Sequence, residues 1–179
     1  MRTIAPIAIV ALLWACQPQK ETATGTATGT SPQPANTSTA DANFVTQVGQ
    51  AGFMEIASGT LTQTNSSNPG VQTFGYLMIT NHTLLNEHLA RIAAQQGIPF
   101  PTGPSPQQQQ MLDQLDDLTG PPFDQMYLAD MVAGHQGAVS LFQSETSSQD
   151  PELAAYAKKY LPMVQEHLRL AQALQGQNP

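Results

Sequence analysis

Three methionine–histidine pairs carry most of the chemistry open to this 179-residue chain. They are Met78/His82, Met131/His135 and Met163/His167, each separated by four residues. Residues four apart on a helix share a face, so each pair can present a thioether and an imidazole to one point. Thioethers with imidazoles suit copper, Cu(I) above all, whereas imidazoles with a carboxylate suit iron, zinc or manganese. Glu55 could complete either set if its helix crosses opposite the one that carries His82. His82 is central to this reading, because it lies inside an apolar stripe, four residues after Met78 and three before Leu85. A ring nitrogen that loses water there needs a partner. A hydrogen bond from His82 to Glu55 across the core meets that need, and so does a metal ion held with His135 and His167.

Other chemistries find little support. There is no HExxH, CxxC or EF-hand pattern. A di-iron bundle requires a glutamate from two helices and Glu-x-x-His from two more. Here Glu87-His88 and Glu166-His167 are adjacent pairs, so a metal-dependent oxidoreductase is the weakest of the metal readings. No Gly-x-Ser-x-Gly turn occurs. Tyr127 with Asp124 or Asp130 is expected to form a polar network at one bundle end, as architecture and not as acid–base catalysis. His88, about 120° from His82 around the helix, is expected to face solvent. With 13 acidic against 6 basic residues, the domain does not suit nucleic acid or an anionic membrane surface.

The elements that must position these residues are helical. Asp41 is expected to cap a first long helix running to about Gln63, with Glu55 on the face defined by Phe44 and Val48. A second follows Pro69 and ends at Gly97, its stripe running through Val71, Phe74, Met78, Leu85, Leu89 and Ile92. The proline-rich segment 98–106 cannot be regular structure. A short helix over 107–118 precedes Gly120-Pro121-Pro122, which opens a third long helix to Glu145 with His135 on its flank. A fourth runs from Pro151 to about Leu174, capped by Asp150 and kinked at Pro162. The periodicity predicts an all-α fold, an antiparallel four-helix bundle with a short extra crossover helix.

The first 16 residues are set apart. Arg2 and the apolar run from Ile4 to Ala15 form an export signal too short to be a permanent span. The run ends in Leu13-Trp14-Ala15-Cys16, which resembles the lipobox of bacterial lipoproteins. Cys16, the chain's single cysteine, is the expected lipid attachment point. Gln17 in place of aspartate favours the outer membrane, with the domain facing the periplasm. Residues 17–40, rich in Thr, Ala, Gly, Ser and Pro, read as a disordered tether, and 41–179 as one domain. Membrane association is then through the N-terminal lipid alone.

The segments MITNHT (78–83), LTGPPFDQMY (118–127), MVAGHQ (131–136) and LPMVQEHL (161–168) together resemble the DUF4142 family. The resemblance implies a ferritin-like helical bundle, exported in bacteria, with no established biochemical activity. It also implies that Glu55, His82, Asp124, Tyr127, His135 and His167 stand at the family's motif positions. Asn81 departs from it, since the family usually has aspartate before the histidine of the second helix. The family is similar in turn to an exported helical group with paired histidines and methionines that is suspected of binding copper. Two functions follow from these readings: a lipid-anchored bundle holding a metal ion or small ligand between helices, or a non-catalytic envelope module that binds a protein partner.

Overall fold

The computed structural model describes residues 38–177. The lipobox with Cys16 and the tether up to residue 37 lie outside the described residues. Five helices form an all-α bundle with no strand among the described residues: α1 (Thr39–Asn65), α2 (Pro69–Gln96), α3 (Pro106–Asp116), α4 (Pro121–Glu145) and α5 (Pro151–Gln175). No described helix is long and apolar enough to cross a membrane.

Local chemistry explains where each helix begins and ends. Ser38, not Asp41, caps α1. The Ser38 hydroxyl accepts from the Asp41 N–H at 3.1 Å while the Asp41 carboxylate accepts from the Ser38 N–H at 3.0 Å. This reciprocal box satisfies two otherwise orphaned donors, so the helix starts three residues earlier than an Asp41 cap implies. Asn68 caps α2, with Pro69 as its first residue, and Gly97 ends it in the left-handed region at φ 69°. That conformation costs glycine nothing and any Cβ-bearing residue something. Segment 98–105 has no regular structure but is not idle, since Ile98 is buried and Phe100 packs on the core. Gly49 makes room for it: a Cβ there would lie 2.6 Å from Pro101. Asp150 caps α5 by accepting from Glu152 and Leu153 N–H groups, and the helix continues unbroken through Pro162.

Short loops join α1 to α2 and α4 to α5, so each pair is an antiparallel hairpin. Within the first, a Cβ on Gly59 would sit 2.7 Å from the Gly75 carbonyl, so the two backbones approach closer than any larger residue allows. The apolar core falls into two clusters. One gathers Phe44, Val48, Leu85, Leu89, Phe142, Tyr156 and Val164; the other gathers Val71, Phe74, Met78, Phe123, Tyr127, Met131 and Ala171. Along each long helix the residue that falls between the two clusters is polar: Glu55, His82, His135 and His167, all buried.

Candidate metal centre

α1 supplies Glu55, α2 His82, α4 His135 and α5 His167, and the bundle brings the four side chains together. The three imidazoles form a near-equilateral group, with ring centroids 5.7 Å (His82–His135), 5.2 Å (His82–His167) and 5.3 Å (His135–His167) apart. His167 Nδ1 lies 3.3 Å from His82 Nε2 and 3.3 Å from His135 Nε2. The three inward nitrogens all lie within 4.8 Å of one another. Ligand atoms at zinc–nitrogen distance around a tetrahedral ion stand about 3.3–3.4 Å apart. Two of the three edges therefore already have the required length.

The outward nitrogen of each ring is engaged as well. His82 Nδ1 donates to Glu55 Oε2 at 2.8 Å. His135 Nδ1 donates to the Met131 carbonyl, four residues earlier on α4, at 2.9 Å. Asn81 Nδ2 lies 2.9 Å from His167 Nε2 and donates to it, which in the neutral ring places the His167 proton on the inward Nδ1. On His82 and His135 the proton is held outward, which in a neutral imidazole leaves the inward nitrogen with its lone pair. This is the outer support that orients histidine ligands in metal sites. Asn81 and His82, consecutive on α2, thus hold the His167 ring from two sides.

The electrostatics hold Glu55 ionised and disfavour a charge on His135 and His167. Burial pushes the Glu55 carboxyl up, but positive charge on His82 and then His135, with the His82 hydrogen bond, outweighs it and holds the group down at about 2. Burial, then repulsion from His82 and His135, lowers His167 to about 3. Burial likewise lowers His135. Glu55 Oε1 lies 3.6 Å from His135 Nε2, so the carboxylate faces a second ring without a close hydrogen bond.

Several expected residues have a different setting from the one the helical pattern implies. His135 is fully buried at the centre and not on a flank. Met78 and Met131 lie in the second apolar cluster and Met163 is partly buried against the first, so all three take part in core packing. The network expected of Tyr127 with Asp124 or Asp130 does not form. The Tyr127 hydroxyl, Asp124 Oδ1 and Asp130 Oδ2 are buried without a hydrogen-bond partner. Burial raises the Tyr127 hydroxyl, and the Glu55 charge adds to that rise. His88 is half-buried, with Nδ1 3.1 Å from the Tyr160 hydroxyl, and does not face water freely. Asn81, noted in the sequence as a departure from the family's aspartate beside His82, stands against His167 and not against His82.

No curated protein matches the sequence. The crystal structure of a DUF305 fragment from Deinococcus radiodurans is similar in fold, with a TM-score of 0.69, 79% of this chain and 98% of that chain covered, and 16% sequence identity. At that identity the likeness speaks to the helical architecture alone. The sequence itself matches DUF4142, a domain of unknown function, over residues 26–174. The chain, with its buried three-histidine centre inside a helical bundle, belongs to the DUF4142 family.

Proposed function

We propose that this protein binds one divalent transition-metal ion through His82 Nε2, His135 Nε2 and His167 Nδ1, with Glu55 orienting His82 and balancing the charge. The observation that carries this reading is the 3.3 Å spacing of inward ring nitrogens whose outward nitrogens are all engaged. Three imidazoles beside a carboxylate suit zinc, copper(II) or iron better than Cu(I), since the three methionines take part in core packing. Three protein ligands leave a fourth tetrahedral position, the pattern of sites that accept a further ligand. For His167 to ligate through Nδ1, Nε2 must keep its proton; a half-turn of the Asn81 amide presents Oδ1 to receive it.

Metal analysis of the purified domain after exposure to copper, zinc, iron and manganese tests the proposal. One equivalent in the wild type and a large loss in His82→Ala, His135→Ala and His167→Ala are expected. Equal metal content in all four proteins would sink it.

The same reading treats the fold as a ferritin-like four-helix arrangement in which α3 is the crossover, supported by the two hairpins α1/α2 and α4/α5. It also holds the protein to the periplasmic face of the outer membrane by a lipid on Cys16, supported by the lipobox and Gln17. Incorporation of labelled palmitate in the wild type but not in Cys16→Ser tests the anchor.

A second reading, a non-catalytic envelope module, draws on an apolar surface groove between α2 and α5. Tyr76, Leu77 and Leu170 line it, and Tyr76 is 66% exposed. There the polar layer would set helix register, and the groove would receive an apolar segment of an envelope protein. Site-directed crosslinking from Tyr76 in envelope preparations tests this; no reproducible adduct counts against it.

A further inference from the structure

A cleft of about 300 Å³ opens between α1 and α4 beside the histidine layer, and Glu55 and His82 are among the residues that line it. Val48 and Ala51 contribute to its α1 side and Gly134 and Gly137 to its α4 side. Neither glycine is required by close packing or by a positive φ. Both lie in the interior of α4, where glycine is the least favourable residue after proline. A Cβ on either would meet nothing within 4 Å, whereas one on Gly49, Gly52, Gly59 or Gly75 would collide with a neighbour. Those four serve close packing. Gly134 and Gly137 instead border the cleft with open space where a side chain would stand.

The lining also selects by charge and polarity. No lysine or arginine contributes to it, and the Glu55 carboxylate stands at its histidine end. The whole chain carries a net charge of −7. An anion would meet repulsion with no cationic side chain to offset it, while the neutral amides of Gln47, Gln50 and Gln108 remain in the lining as hydrogen-bonding groups. Phe142, Val164 and Leu85 give an apolar surface that disfavours a strongly hydrated cation.

We infer that this cleft admits a small neutral molecule, with an apolar body and one nitrogen or oxygen donor atom, to the fourth position of the ion. The inference deepens the metal-binding reading and rests on it. It assigns Gly134 and Gly137 as the residues that keep the entrance open, and it makes the site one that takes an outside ligand instead of a closed structural centre.

Cobalt(II)-loaded protein, titrated with imidazole and separately with azide, tests the proposal through the visible d–d bands. Imidazole is expected to change the bands with cobalt content unchanged, at a half-saturation at least tenfold below that of azide. Gly137→Leu and Gly134→Leu are expected to raise the imidazole half-saturation at least tenfold while binding the same amount of cobalt. Circular dichroism checks each variant, and the imidazole–azide comparison stands without them if either fails to fold. Cobalt uptake that depends on His82 but no band change with imidazole, or azide binding as tightly, overturns the cleft proposal and leaves the metal reading intact. Leucine variants that bind imidazole like the wild type also overturn it. No cobalt uptake at all overturns both.

Discussion

Glu55 Oε2 accepts a hydrogen bond from His82 Nδ1 at 2.8 Å, on the side of the ring opposite His167. The carboxylate therefore fixes which nitrogen of His82 faces the centre. A buried acid in this role is worth keeping only while its partner remains, since an uncompensated buried charge is costly.

Replacing that acid should separate orientation from folding. Glu55→Gln keeps the shape and can still accept from His82 Nδ1, but it removes the charge that strengthens the imidazole as a ligand. Metal affinity is expected to fall by about 10–100-fold, the range typical for an outer partner of a histidine ligand. Competition against a chromophoric chelator measures it. An affinity equal to the wild type would show that Glu55 is not coupled to the ion.

Asn81 gives the opposite lever. Asn81→Asp supplies a carboxylate acceptor to His167 Nε2, and metal affinity is expected to rise by about tenfold, while Asn81→Ala lowers it by a similar factor. The same competition titration reads both. A fall in Asn81→Asp would mean that the amide nitrogen, not an oxygen, is what His167 needs.

Glu145 should make stability depend on pH in a defined direction. It is buried where the end of α4 meets the start of α1, near Asp41. Burial, then the negative charge of Asp41, raises its carboxyl to about 7 from an ordinary 4.5. Burial also raises Asp41, but hydrogen bonds from Ser148 and Ser38 outweigh it and hold that group low. Between pH 4.5 and 7 the unfolded chain has released the Glu145 proton and the native state still holds it. The contribution is thus fully present below 4.5 and lost as pH rises through 7. His167, lowered to about 3, acts in the opposite sense below 6.5. The difference between wild type and Glu145→Gln in urea unfolding isolates the Glu145 effect. The variant is expected to gain stability over the wild type as pH rises from 4.5 to 7, and no pH-dependent difference would refute it.

Helix glycines should split into two groups. Gly137→Ala, in open space, is expected to stabilise the fold by about 0.8–1 kcal/mol through helix propensity. Gly59→Ala, with its Cβ against the Gly75 carbonyl, is expected to destabilise by about 1–3 kcal/mol. Thermal or urea unfolding distinguishes them, and equal signs for the two would contradict the assignment of roles.

Much of the architecture was readable from residue order. The α2 stripe is narrow and ends at a glycine, so His82 could be placed inward and Gly97 at the stop. Glu55 follows from Phe44 and Val48 by the same geometry. α4 was harder, because apolar residues surround much of it and no single face is marked. His135 therefore looked peripheral, although it lies at the centre. The α1 start carries two residues able to cap, Ser38 and Asp41, and only their reciprocal hydrogen bonds show which one does. Asn81 could not be given a partner without knowing that α5 lies across from α2. The Tyr127 network failed for a related reason: spacing on one helix shows that groups share a side, not that their polar atoms meet.

The polar layer draws one group or more from each of the four long helices, and it sits between two separate apolar clusters. An ion seated there would act as a rivet through the whole stack, because its ligands come from three helices spread over both hairpins. At a free concentration 1,000 times its dissociation constant it would add about 4 kcal/mol to stability. A melting temperature measured on this protein would then report how much metal the buffer contains as much as how well the chain is packed.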